Sequence, residues 1–383
     1  MMESTVKPRE FIETVFIIVT MSVSVIGQIE PIRESFRPVM FILWGAFIFF
    51  LLFANFNTIK ISRFSLWFIL SYGLYLLFCF VLSFANEAYL DSNFISVLLP
   101  ALMVTLAGEF FRPVATYSSM KAISLFFVLS ALIYAIWVNI TFFPSLASWY
   151  SLHTYAFVSK NSAAQIWSCS ILLIVFILET KSKLLKVTYS CIALYFLFLC
   201  FLSQCRTALL GLGCVFVWYY FKRKSDNLLN KLFFYTAVLL FVAFVVFKWD
   251  FFSDFIGKAI FLGAQDNFDA NQMSSGRIEL YGNALSYIFS SPLIGNGKFY
   301  VDNHYLCVLA ESGLLGFIII ESVWFMRIMM NLRYNGDYKQ KLFLIALTIF
   351  YIVESMFEAF PPFGPGVTAM AFWFYSQVLT NPH

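Results

Sequence analysis

The stretch "FILWGAFIFFLLF", residues 41–53, carries no charge and no alternation of polar with apolar positions. A run of that kind cannot be one face of a half-buried strand, and a β-barrel would need short alternating segments. It can be a helix buried on every side or immersed in lipid, where an α-helix satisfies its own backbone groups. Twelve such runs recur, near 10–27, 38–56, 65–84, 95–112, 121–142, 163–179, 185–203, 205–221, 231–248, 305–330, 340–358 and 365–380. Roughly 20 apolar residues cross a bilayer, so each is a candidate span. With 61% hydrophobic and 12% charged residues, the chain has too little polar surface to cover a soluble domain of 383 residues. The expected fold is all-α: one integral membrane domain over 1–383, with about twelve transmembrane helices. The run from Phe11 to Gly27 has a short basic front end and no small-residue cleavage site, and is read as a retained first span.

Charge sets the orientation. With the N-terminus inside, seventeen of the 25 Lys and Arg fall on the inner side. Eight fall outside: Arg33, Arg37, Lys160, Arg206, Lys248, Lys258, Arg277 and Lys298. The positive-inside rule then places both termini in the cytoplasm. Juxtamembrane basic residues account for the net +4, and no nucleic-acid partner is implied. The seven cysteines sit in or beside spans without metal-ligand spacing, as small buried hydrophobes do. No phosphate-binding glycine loop, HExxH pair or serine-triad signal is present. No cofactor and no metal are expected.

The long hydrophilic segment is the outer loop, 249–304. From Ser275, the positions Ile278, Tyr281, Leu285 and Ile288 recur at helical spacing, with Ser274 or Ser275 as the cap and "SSP" as the stop. Arg277 falls in the first turn, where a cation opposes the helix dipole and calls for an anion nearby; a solvated arginine on a loop helix is the bland alternative. Arg206, in "LSQCRTALLGLG", interrupts an otherwise apolar hairpin at a cost of a few kcal/mol. It is either functional or a snorkelling anchor. With Lys160 and Asn161 in "VSKNSAAQ", these arginines form an electropositive outer pocket suited to a lipid phosphate or pyrophosphate.

Four segments in order, "SQCRTALLGLG", "SSGRIELYGNAL", "SSPLIGNGKF" and "DNHYLCVLAESGLLG", resemble the signature series of the O-antigen ligase and polymerase superfamily. The motifs span Ser203 to Gly316. The resemblance implies transfer of a glycan from an undecaprenyl-pyrophosphate donor to an acceptor hydroxyl. It also implies the periplasmic face of a bacterial inner membrane, without metal or nucleotide. Arg206 and Arg277 match the family's two arginines and would hold the pyrophosphate, with Lys160, Asn161 and Asn303 as further binding residues. Membrane lipids, a chain-length regulator and a flippase are the partners so implied.

One departure separates the activities. Ligases of this type usually carry histidine eleven residues before the first glycine of Gly-Leu-Leu-Gly. That glycine is Gly313 here, and the position is Asp302. His304 lies two residues on, about 200° away on a helix. The Asp-Asn-x-Tyr-Leu form is more similar to repeat-unit polymerases, with ligase as the alternative and a lipid-linked oligosaccharide flippase as a more distant one. Asp302 and His304 are therefore the candidate catalytic residues. In the plainer reading Asp302 caps the following helix and His304 is an interfacial polar group. Glu358, beside "AFPPFGPG", is a weaker carboxylate candidate; His153 and His383 have no comparable context.

Overall fold

A computed structural model describes residues 8–56, 60–147, 157, 159–178, 180–222, 277–364 and 368–380. All regular structure among these residues is helical: α1 (Pro8–Ile26), α2 (Glu30–Asn55), α3 (Arg63–Ser83), α4 (Asn93–Phe111), α5 (Tyr117–Ala147), α6 (Lys160–Phe176), α7 (Lys183–Leu202), α8 (Arg206–Lys222), α9 (Arg277–Ser290), α10 (His304–Arg333), α11 (Tyr338–Phe357) and α12 (Met370–Thr380), with two short 3-10 turns. Eleven of the expected spans coincide with helices. The one near 231–248 lies outside the described residues, as do His153, Ser274, Ser275, His383 and residues 249–276 of the outer loop 249–304. The loop helix read from periodicity is α9, described from Arg277 onward.

Among the described residues, seven helices, α2, α3, α4, α5, α7, α10 and α11, are long and apolar enough to cross a membrane. Their outward faces remain apolar: Leu70, Leu74, Leu77 and Phe80 on α3, and Leu184, Val187, Leu194 and Phe198 on α7, are all exposed. Helices apolar on their exposed faces as well as their buried ones need a lipid solvent. The chain is an all-α polytopic membrane protein.

The apolar run read as one span at 305–330 is broken. Seventeen residues of straight helix would separate His304 from Glu321 by about 25 Å, yet His304 Nε2 lies 2.8 Å from Glu321 Oε1. The chain doubles back at Gly313, whose φ of 60° and ψ of −166° lie outside any helix. Residues 304–312 run one way and 314–333 return. A break inside an apolar bundle leaves helix-end N–H and C=O groups unpaired, and the turn 292–297 pairs them. Asn296 and Gly297 donate to the carbonyls of Ala310 and Glu311 at 3.1 and 3.0 Å. Leu314 and Leu315 donate to those of Pro292 and Leu293 at 2.9 and 3.1 Å. The segments "PLIGNG" and "ESGLLG" are thus two halves of one structural unit.

A Cβ on Gly313 would collide with the backbone of Leu293, Ile294 and Gly295, and one on Gly295 with that of Glu311. Gly313→Ala is expected to destabilise the protein by about 1–3 kcal/mol from backbone strain alone. Gly213 on α8 meets nothing within 4 Å, so Gly213→Ala serves as the control. Equal melting temperatures of the two variants in detergent would contradict the fold-back.

At the opposite end of the bundle, Glu109 accepts hydrogen bonds from Ser62 (2.6 Å), Ser65 (2.7 Å) and Gln377. Gln377 in turn accepts from the fully buried Arg327, which also donates to Thr380 at 2.9 Å. This network ties α3, α4, α10 and α12 together.

Candidate active site

The site forms where the starts of α6, α8 and α9 meet the end of α11. The hairpin between α7 and α8 turns so tightly that Gln204 takes a positive φ of 54°. Lys160 Nζ donates to the Gln204 carbonyl at 3.5 Å, and Cys205 Sγ donates back to the Lys160 carbonyl at 3.4 Å. This reciprocal pair fastens α6 to the hairpin and brings Arg206, first residue of α8, beside Lys160. The charges of Arg206, Glu358 and Arg277 all act on Lys160.

The last turn of α11 leaves carbonyls that its own helix cannot pair. Arg277 Nη2 donates to the Phe357 carbonyl at 3.1 Å. Asn303 Nδ2 donates to that of Met356 at 2.8 Å. His304 Nδ1 meets that of Ala359 at 3.1 Å. Three residues from the second and fourth motifs converge on one helix end, and Glu358 stands in the middle of it.

Glu358 Oε1 accepts from Asn161 Nδ2 at 2.8 Å and lies 3.7 Å from Arg277 Nη2. Burial, and after it the nearby Asp302 charge, raise the Glu358 carboxyl to about 7 against the lowering influence of Arg277, Asn161 and Lys160. Asp302 Oδ2 is 3.8 Å from Arg277 Nε. Its Oδ1 accepts from the Tyr300 hydroxyl at 2.8 Å, and its carbonyl from the Tyr281 hydroxyl at 2.9 Å. Burial and the Asp302 charge push the Tyr300 phenol upward. Arg277 Nε is buried, and among the described residues it has no hydrogen-bond partner. A buried guanidinium N–H without an acceptor is costly, and it is poised for an incoming anion.

Of the residues read from the sequence, the structure brings together Lys160, Asn161, Arg206, Arg277 and Asp302, and adds Glu358. Asn303 and His304 are turned to other tasks. Asn303, not Asp302, is the α10 cap: its Oδ1 accepts from the Leu306 N–H at 3.0 Å. The helix begins one residue later than an Asp302 cap requires, which leaves Asp302 in irregular backbone facing Arg277. His304 is fully enclosed by Phe94, Tyr305 and Phe363 and bonded to Glu321. The fold-back at Gly313 brings Glu321 to its ring. Below Glu358, two polar groups on α11 bond to α6: Glu354 Oε2 accepts from Gln165 Nε2 at 3.3 Å, and the Tyr351 hydroxyl meets Cys169 Sγ at 3.4 Å.

A cavity of about 230 Å³ adjoins the site between α2 and α4. Arg33 and Arg37 line its polar end, Trp44 and Met103 its apolar end, and Phe360 joins it to Tyr300, ring to ring at 5.8 Å.

Residues 191–320 match the family model described as O-antigen ligase. The matched segment contains Arg206, Arg277, Asp302 and the break at Gly313, while Asn161 and Glu358 lie outside it. No curated protein sequence matches the chain. The match supports the O-antigen polymerase and ligase superfamily. The match, over residues 191–320, suggests a glycosyl-transferring enzyme of O-antigen biosynthesis, and the several apolar helices make the chain a multi-pass membrane protein.

Proposed function

We propose that the chain polymerises undecaprenyl-pyrophosphate-linked oligosaccharide repeat units at the periplasmic face of a bacterial inner membrane. The observation that carries this reading is the Arg277 guanidinium, whose buried Nε has no hydrogen bond among the described residues and which stands 3.8 Å from Asp302 and 3.7 Å from Glu358. Pyrophosphate is already a good leaving group, so the protein has mainly to stabilise its developing charge with fixed cations. Arg277, Arg206 and Lys160 supply them, and no metal is required. The acceptor hydroxyl must be aligned for attack at the anomeric carbon, and a carboxylate takes its proton. Glu358 is the better base of the two, since a value near 7 keeps it half-ionised at working pH; Asp302 balances Arg277. His304 and Asn303 position the α11 end that carries Glu358. The cavity with Arg33 and Arg37 is assigned to the second glycolipid.

Polymerase is favoured over ligase because aspartate stands at position 302, where ligases usually carry histidine. Transport is disfavoured because the charged cluster of Lys160, Arg206, Arg277, Asp302 and Glu358 sits at helix ends and not at mid-span. Deleting the gene is expected to leave a single repeat unit on the lipid core in a polysaccharide profile. Loss of all attached glycan, with polymer retained on the carrier, would instead identify a ligase.

A further inference from the structure

The segment "KFYVDN", residues 298–303, joins the turn 292–297 to α10 without helix or strand of its own. It is nevertheless pinned along its length. The Lys298 N–H donates to the Ala88 carbonyl at 3.1 Å, and the Phe299 carbonyl accepts from Asn93 Nδ2 at 3.0 Å. Further on, the Asp302 carbonyl accepts from the Tyr281 hydroxyl, and Asn303 caps α10. Side chains alternate between these ties. The Phe299 ring stacks on that of Tyr287 at 4.6 Å and Val301 is fully buried, whereas Tyr300 between them is 56% exposed.

An exposed tyrosine at a membrane boundary is ordinarily an interfacial anchor, with its ring in lipid and its hydroxyl in water. Tyr300 is mounted the other way. Its hydroxyl is spent inward, on Asp302 Oδ1 at 2.8 Å, while more than half of its surface stays open. Phe360 meets the ring edge to face at 5.8 Å, which keeps it from swinging. The second oxygen of the same carboxylate, Asp302 Oδ2, lies 3.8 Å from Arg277 Nε. One carboxylate thus links the phenol to the guanidinium, and an anion held by Arg277 has an aromatic surface about one sugar residue away.

A pyranose has an apolar face of C–H groups and a rim of hydroxyls. The negative face of an aromatic ring attracts the C–H groups, and a carboxylate, which only accepts, suits the hydroxyls. Tyr300 and Asp302 offer the two side by side. We propose that the Tyr300 ring is the platform for the sugar bonded to the donor pyrophosphate, with Asp302 accepting from a hydroxyl at that sugar's rim. This deepens the reading that places the pyrophosphate at Arg277, and rests on it. Ring, carboxylate and cation then hold sugar and leaving group in one orientation, as displacement at the anomeric carbon requires.

The test measures binding to the purified full chain in phosphatidylcholine nanodiscs by native mass spectrometry, with two probes. One is undecaprenyl pyrophosphate, and the other is the same lipid carrying the strain's own repeat unit. Tyr300→Leu is expected to bind the glycosylated lipid about three- to tenfold more weakly, the usual worth of an aromatic contact, and the bare lipid as the wild type does. Tyr300→Phe keeps the ring and should retain most of the affinity for both. Arg277→Ala should weaken both probes. Phe289→Leu, which removes a 76% exposed ring from α9, is the control and should change neither. Should Tyr300→Leu not fold, Tyr300→Met is read the same way. Undiminished binding of the glycosylated lipid by Tyr300→Leu, equal weakening of both probes, or the same loss from Phe289→Leu would each overturn the platform and leave the Arg277 assignment standing. A wild type that binds neither probe would overturn that assignment, and the platform with it.

Discussion

Replacing Arg277 with alanine is expected to lower polymerisation by about 100- to 1,000-fold, with the protein still inserted at normal abundance. That is the usual cost of removing one preorganised donor to a developing oxyanion. The position is exacting because Arg277 does three things at once. It pairs the Phe357 carbonyl at 3.1 Å, holds Asp302 and Glu358 at ion-pair distance, and keeps Nε unsatisfied for the ligand. Arg277→Lys is expected to recover little, since a point charge cannot reproduce the planar fork. Losing the cation also removes an influence that lowers the Glu358 carboxyl, so the residual activity should need higher pH. Near-normal polysaccharide ladders from Arg277→Ala would remove pyrophosphate from this corner of the molecule.

Glu358→Gln is expected to cost about 100- to 10,000-fold, the range for a positioned general base. Glutamine keeps the size of the side chain and a carbonyl oxygen for Asn161 Nδ2, so the fold should survive. The wild-type rate should climb as pH passes about 7 and flatten above it, and the variant should lose that limb. The stability sign runs the other way. A carboxyl raised in the folded state above its ordinary 4.5 adds stability that is full below pH 4.5 and lost as pH rises through about 7. Rate and melting temperature should therefore move oppositely with pH across that window, and only in the wild type. Asp302→Asn, assayed beside it, should be the milder change. If Asp302→Asn is the more severe, the proton goes to Asp302 instead.

Much of this architecture could be read from apolar runs alone, because lipid imposes a length and composition that water does not. The spans near 65–84 and 185–203 coincide with α3 and α7 within a few residues. The break at Gly313 could not be read that way. Hydropathy is blind to direction, and residues 304–333 are as apolar folded back as they would be straight. The signal was present in the paired glycine segments, but their pairing is tertiary. Glu358 was legible only as a carboxylate near a rigid turn. Its place in the site comes from Asn161, 197 residues away in sequence. Asn303 and Asp302 are equally good caps by residue type, and the backbone start at His304 decides between them. His304 drew attention as an ionisable group at a boundary, and packing against Phe94 and Phe363 moved it inside.

The central claim is that this membrane chain itself transfers a glycan from a lipid pyrophosphate at the Arg277 and Glu358 corner. Its most direct test incubates the purified full-length protein, in excess EDTA, with a synthetic undecaprenyl-pyrophosphate-linked repeat unit, and reads the products by mass spectrometry. A series of products, each longer by one repeat and still carrying the lipid pyrophosphate, is predicted for the wild type and not for Arg277→Ala. Substrate recovered unextended by folded wild-type protein, or extension that Arg277→Ala performs equally well, would contradict the account.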